Sequence, residues 1–328
     1  MRREGIGICL ALMMVATANL FPGRAQETGA AQQQPPSSVP PPVNPLKVAL
    51  LKWYKANTTT RFKTGQQPYG VAFDGANIWT ANFEGTVTKL RANDGEVLGT
   101  FKAGIEPYGV TFDGANIWVS NVGGGTVQKF RASDGKALGT FTVGHNPGWM
   151  AFDGADLWVP YGVNSVAKLR ATDGSNLGNF TVGNGDIAVA FDGANVWTTN
   201  TGDGTVSKLR ASDGRVLGTF TVGNSPTGIA FDGANMWIAN RGEGTVSKLR
   251  ASDGKNFGTF TVGGLPYGVA FDGTNIWVSG DPNTVELRVS DGTVLYRINL
   301  PGGGGTGVAF DGADIWLAEF GKNAVGKL

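Results

Sequence analysis

From about residue 60 onward, short apolar runs alternate with clusters of Gly, Asp, Asn and Ser, and the order returns about every 40 residues. Thr227 to Val262 shows one unit. Gly228-Ile229-Ala230-Phe231 reads as a strand, and Asp232-Gly233-Ala234-Asn235 as a tight turn. There Gly supplies positive φ and Asp a side chain that bonds the turn backbone. Met236 to Asn240 reads as a second strand, Thr245 to Arg250 as a third and Phe257 to Val262 as a fourth. Loops at Arg241-Gly242-Glu243-Gly244 and Ala251-Ser252-Asp253-Gly254-Lys255 separate them. Within the third strand the Val246/Leu249 spacing breaks strict alternation, which predicts a bulge there.

The unit recurs seven times. Phe-Asp-Gly begins at Phe73, Phe112, Phe152, Phe191, Phe231, Phe271 and Phe310, and a Trp follows each Phe six residues later, from Trp79 to Trp316. Four short strands at this period form a propeller blade, so the chain reads as all-β, a single seven-bladed β-propeller of four-stranded blades over residues 58–328. The last copy stops at Leu328, inside its third strand. Thr60-Arg61-Phe62-Lys63-Thr64-Gly65 matches the fourth-strand pattern of Thr219 to Gly223. An N-terminal strand is therefore expected to complete the last blade, which removes the open sheet edges.

Composition fits this picture. The 52 Gly and 9 Trp suit many tight turns and repeated aromatic packing, and do not suit helices, whose interiors Gly weakens. Ahead of the repeats, Arg2 and Arg3 precede an apolar run from Ile6 to Phe21, and Gly23-Arg24-Ala25 offers small residues for cleavage. Residues 1–25 thus read as a signal peptide, its apolar run too short for a comfortable span, which leaves no membrane span after cleavage and a secreted or periplasmic protein. Cys9 lies within that segment, so the mature chain has no thiol for a disulfide. Residues 26–45 read as a disordered Gln/Pro/Ser-rich linker, and 46–57 as an N-terminal cap segment in which Leu46, Leu50 and Trp53 share a helical face. Without residues 1–25 the charges are 24 basic to 25 acidic, a balance that offers nucleic acid no electrostatic footprint.

Pro-Tyr-Gly-Val-Ala-Phe-Asp-Gly (68–75), Asn-Ile-Trp-Thr-Ala-Asn (77–82) and Gly-Thr-Val-Thr-Lys-Leu (85–90) resemble the NHL/YVTN group of bacterial propellers and its streptogramin (virginiamycin B) lyase-like branch. The resemblance implies the propeller fold. For the lyase branch it also implies a magnesium-assisted site built from His and Glu residues. A chain with the single histidine His145 cannot reproduce a paired-histidine arrangement.

With the blade strands lettered a to d in chain order, the a–b and c–d turns share one face and repeat almost unchanged. The d–a and b–c loops share the other face and vary, so comparing copies within the chain separates scaffold from candidate site. The variable positions are Tyr69, Glu84, Tyr108, His145, Trp149, Tyr161, Asp186, Asp203, Arg241, Glu243, Tyr267 and Glu319. Aromatics, acids and an arginine around a central mouth suit an unknown peptide, glycan, protein or small polar ligand. The third copy departs most. His145, Trp149 and Tyr161 read either as a polar-aromatic pocket or as one diverged copy with Trp149 filling the channel. His145 with Asp186 is the candidate base–orienter pair for any catalysis. Acids at the mouth, Glu84, Asp186, Asp203, Glu243 and Glu319, supply the oxygen donors that Mg²⁺ or Ca²⁺ would need, although their spacing does not demand a metal. The leading expectation is an exported, non-catalytic binding scaffold. The alternative is a streptogramin lyase-like or hydrolase enzyme at the same face.

Overall fold

Each Phe-Asp-Gly turn folds around its own aspartate. In a computed structural model of the chain, Asp232 Oδ1 accepts the backbone N–H groups of Ala234 and Asn235, and its Oδ2 accepts the indole N–H of Trp237 at 2.7 Å. The aspartate–indole bond recurs in all seven copies, at 2.7–2.8 Å. Burial disfavours the charge on Asp232, but these donors outweigh it and hold the carboxyl below its ordinary range. The Asp-Gly pairs are thus committed to hairpin turns.

The structure describes residues 60–328, apart from 301 and 303. The expected signal peptide, linker and cap segment lie outside the described residues. No described helix is long and apolar enough to cross a membrane. Seven four-stranded antiparallel sheets form the ring. Blade 5 runs Pro226–Phe231, Asn235–Asn240, Thr245–Arg250 and Asn256–Thr261, close to the boundaries expected from sequence. The expected bulge is present, but its extra residue is on strand d. Lys248 pairs with Gly258 and Leu249 with Asn256, which leaves Phe257 between them. A second bulge lies on strand a, between Pro226 and Ile229.

Neighbouring blades are joined by a repeated handover. The strand-c lysine of one blade, such as Lys208, lies 5.0 Å from the ring centre of its own Trp197 and donates to the carbonyls of Ala251 and Ser252, in the c–d turn of the next blade. The strand-d Phe220 packs on Trp197 and then over Gly254 of that same turn. Gly254 has φ +76°, and a Cβ there would fall within the Phe220 ring, so glycine is needed on both counts.

Blade 7 is closed by the N-terminal strand, as expected. Its strands a to c are Gly305–Phe310, Ile315–Glu319 and Ala324–Lys327, and its outer strand is Thr60–Lys63, paired antiparallel with Ala324–Lys327. Phe62 occupies the Phe220 position, packing on Trp316 and over Gly95 of blade 1. The closure also carries an ion pair. Arg61 Nε donates to both oxygens of Glu319, at 2.9 and 2.7 Å. In blade 5 the position of Glu319 is Asn240, whose Nδ2 donates to Thr245 and Ser247. Blade 7 has Ala324 and Gly326 there, so no hydroxyl awaits an amide, and Arg61 supplies the partner instead.

We expect Arg61→Ala to cost about 2 kcal/mol of stability in urea unfolding. This is below the usual cost of orphaning a fully buried charge, because the Arg61 side chain is 43% exposed while that of Glu319 is fully buried. Removing residues 58–64 should cost more, since it opens the ring. A truncated chain that melts like its parent would rule out the closure.

Candidate functional site

On the variable face the b–c loops of blades 1 to 5 hydrogen-bond back to the d–a loops of the same blade. Examples are Phe83 N–H to Gln67 O and Arg241 N–H to Ser225 O, both at 3.0 Å. Inside this rim the inner strands crowd together. A Cβ at Gly70 would strike the backbone of Tyr108 and Val110, and one at Gly228 the backbone of Tyr267 and Gly268. Most blades therefore carry glycine at this position.

Blade 3 carries Trp149 there instead, and its strand a is displaced. Only Ala151–Phe152 pairs with strand b, while Trp149 forms a parallel bridge to Ala188 of blade 4. The indole projects into the mouth of the channel. It stacks on Tyr108, with centroids 5.2 Å apart, and meets Tyr267 edge-on at 5.0 Å. The Tyr108 and Tyr267 hydroxyls, from blades 2 and 6, hydrogen-bond across the mouth at 2.5 Å. Tyr69 packs on Tyr108 at 4.8 Å and on Phe320 at 5.0 Å. Of the two readings of Trp149, the geometry matches the filled channel. Below this aromatic lid lies a cavity of about 170 Å³ lined by backbone and apolar groups, Val71, Val110 and Met150 among them.

The lid leaves a cleft on either side of the Tyr108–Tyr267 pair. One, of about 420 Å³, is lined by Tyr69, Arg241, Tyr267, Asp281, Thr306 and Phe320, with Leu265 and two glycines. Arg241 is exposed, its guanidinium carbon 5.6 Å from the Tyr267 ring centre, and it forms no ion pair among the described residues. The other cleft, of about 370 Å³, is mainly apolar, with Phe83, Val122, Pro147 and Ile187 in its wall.

The remaining sequence candidates are dispersed. Glu319 is not free at the mouth, because it is buried against Arg61. His145 is exposed, and its imidazole has no hydrogen-bond partner among the described residues; only its carbonyl is engaged, by Gly162 N–H. Tyr161 is half-buried and packs over Gly144. The backbone of Asp186 pairs with Asn200, and its side chain lies outside the described groups. Asp203 accepts the Asn184 N–H, Glu84 accepts the Thr86 hydroxyl, and Glu243 is exposed on its loop. Among the described residues no three His, Cys, Asp or Glu side chains come together as metal ligands. Thr306 is the site residue that sequence comparison passed over. It stands where Tyr69 stands in blade 1, and its hydroxyl donates to the Tyr69 carbonyl at 3.0 Å. The clue was polarity at a position that is aromatic in three other copies.

No family model matches this chain, and no curated protein matches it in sequence. Solved structures match in shape. A catalytically inactive variant of virginiamycin B lyase from Staphylococcus aureus, determined with quinupristin, superposes with a TM-score of 0.70 at 17% identity, covering 82% of this chain and 98% of that one. Hydrazine synthase from Kuenenia stuttgartiensis gives 0.71 at 17% identity, covering 83% and 98%. The likeness establishes the propeller fold.

The lid has a pH signature. Burial raises the Tyr108 hydroxyl well above the ordinary tyrosine range, as do the neighbouring Tyr267 and Tyr69, against a smaller opposing effect of Arg241. Burial also raises Tyr267 and Tyr69. An unfolded chain releases these protons near pH 10, roughly, while the folded chain holds them. Stability is therefore retained below that pH and falls as pH rises above it. We expect phenolate absorbance from Tyr108 to appear only together with loss of tertiary structure in the near-ultraviolet, and Tyr108→Phe to weaken this alkaline step. A Tyr108 phenolate in a chain with native circular dichroism would contradict the lid.

Proposed function

We propose that this chain is an exported binding propeller that takes a carboxylate-bearing polar ligand, a peptide foremost, in the cleft between Arg241 and Asp281. The observation that carries the reading is Arg241: an uncompensated guanidinium above an aromatic wall, beside a cleft of about 420 Å³. Arginine is suited to gripping a carboxylate with two parallel hydrogen bonds, and the rings of Tyr69, Tyr267 and Phe320 offer flat apolar area beside it. Asp281, in the same wall, supplies an acceptor for an ammonium or amide. With the lid closing the channel mouth, the ligand is held at the rim.

The test is calorimetric titration of the purified chain with short peptides in free-carboxylate and amidated forms, and with neutral glycans. Free-carboxylate peptides should bind tightest, and Arg241→Ala should weaken them about tenfold or more, corresponding to about 1.4 kcal/mol. Equal affinity for amidated peptides, or no loss in Arg241→Ala, would refute the reading.

The enzyme alternative rests on the likeness to the virginiamycin B lyase structure. A lyase assay with and without magnesium, on the parent chain and on His145→Ala, decides it. Turnover that disappears in the variant would favour catalysis over simple binding. With no turnover in the parent, or turnover unchanged in the variant, the enzyme reading fails.

A further inference from the structure

Among the described residues the handover between blades is made at six junctions and not at the seventh. Lys89, Lys129, Lys168, Lys208, Lys248 and Lys327 each bond the c–d turn of the next blade. Phe101, Phe141, Phe180, Phe220, Phe260 and Phe62 each cover that turn's glycine. The exception is the junction from blade 6 to blade 7. Blade 7 takes its outer strand from Thr60–Lys63, so no hairpin joins its third and fourth strands there.

Blade 6 is altered where it meets this place. Glu286 replaces the lysine opposite Trp277, Ile298 replaces the phenylalanine, and Tyr296 replaces the glycine two residues before it. Trp277 consequently lacks both the lysine and the phenylalanine that flank its counterparts, and it alone of the seven repeat tryptophans is not fully buried. The result is a cleft of about 200 Å³ lined by Trp277, Tyr296, Ile298, Phe310, Ile315 and Leu328, with the carboxylates of Glu286 and Asp272 at its side. Asn275, which in most blades serves the turn aspartate, turns instead to Glu286 Oε1 at 2.8 Å, and Glu286 has no ion-pair partner among the described residues. Burial, followed by the nearby Asp272, raises the Glu286 carboxyl, while Asn275 opposes this.

We propose that the chain just ahead of the closing strand, Trp53-Tyr54-Lys55-Ala56-Asn57, fills this cleft as a substitute c–d turn, with the Lys55 ammonium against Glu286 and Asp272 and its aromatic neighbours on the apolar wall. Three features favour this occupant. In register, Thr60 pairs with Lys327 as Gly218 pairs with Lys208, so Trp53–Asn57 correspond to Ala211–Arg215, a c–d turn. The reach is short, because Leu328 lines the cleft and adjoins the residue paired with Thr60. The charges are complementary and reversed: elsewhere the strand supplies a lysine to the turn, whereas here the strand carries Glu286 and the incoming segment carries Lys55.

Zero-length carbodiimide cross-linking of the full chain, followed by peptide mapping, tests this directly. The expected product joins Lys55 to Glu286 or Asp272 within one chain, and Glu286→Gln should deplete it. Removing residues 1–57 provides a second readout. Acrylamide should then quench one further tryptophan, and that gain should vanish in the truncated Trp277→Phe variant. The proposal stands if either result is obtained. It is overturned if both fail, or if mixed isotope-labelled chains show that the cross-link joins two molecules.

Discussion

A propeller blade cannot bury its own edges, so each must be seated against the next, and in this chain that seating is concentrated in one contact. The lysine and phenylalanine of one blade converge on the c–d turn of its neighbour, two carbonyls accepting the ammonium and a glycine making room for the ring. Taking an ammonium out of water is costly unless its protons are satisfied, and here carbonyls and the indole face of the tryptophan share that role. Much else in the repeat follows. The tryptophan must stay oriented beneath the lysine, which the aspartate of the Phe-Asp-Gly turn ensures by accepting its N–H. The turn glycine must be glycine for both its φ and its lack of a side chain. The ring is stable because one contact is made many times, and it is vulnerable where that contact is replaced.

The replacements cluster around blade 7, the blade assembled from both ends of the described chain. There the ring uses an ion pair, Arg61–Glu319, where blades 1, 2, 4 and 5 use amide and hydroxyl groups. A buried ion pair is a weak source of net stability, because desolvation offsets much of the attraction. It is a stringent condition on assembly, since Glu319 has no other described partner and is satisfied only once the N-terminal strand has docked. The pair thus links burial of the last blade to closure of the ring.

The scaffold was legible in the sequence because it repeats: seven Phe-Asp-Gly turns, seven tryptophans and a first strand with the pattern of a fourth. The site was less so, because a departure from the repeat does not say which way a side chain has turned. Glu319 looked like one more acid at the mouth, yet its partner lies 258 residues away in sequence and comes near only after closure. Trp149 looked like a pocket residue or a plug. The choice depended on the backbone space that glycine leaves between inner strands, which no spacing rule reports. Glu286, Tyr296 and Ile298 were visible as departures too, but they fall on strands c and d, away from the varied loops. Their setting appears only once the ring shows that, among the described residues, blade 7 has no c–d hairpin beside them.

Two proteins as differently named as virginiamycin B lyase and hydrazine synthase superpose on this chain equally well, so the ring by itself cannot select among chemistries. A hydrogen bond from blade 2 to blade 6, with the Trp149 indole packed against both tyrosines, ties opposite sides of the ring together and fills the space in which a substrate could sink toward the axis. The one histidine stands exposed on a loop, and its imidazole has no hydrogen-bond partner among the described residues. A guanidinium beside aromatic rings can grip a carboxylate by itself, with two parallel hydrogen bonds. Arg241 lies 5.6 Å from the Tyr267 ring centre and has no ion-pair partner among the described residues, the two features on which the proposed carboxylate site rests.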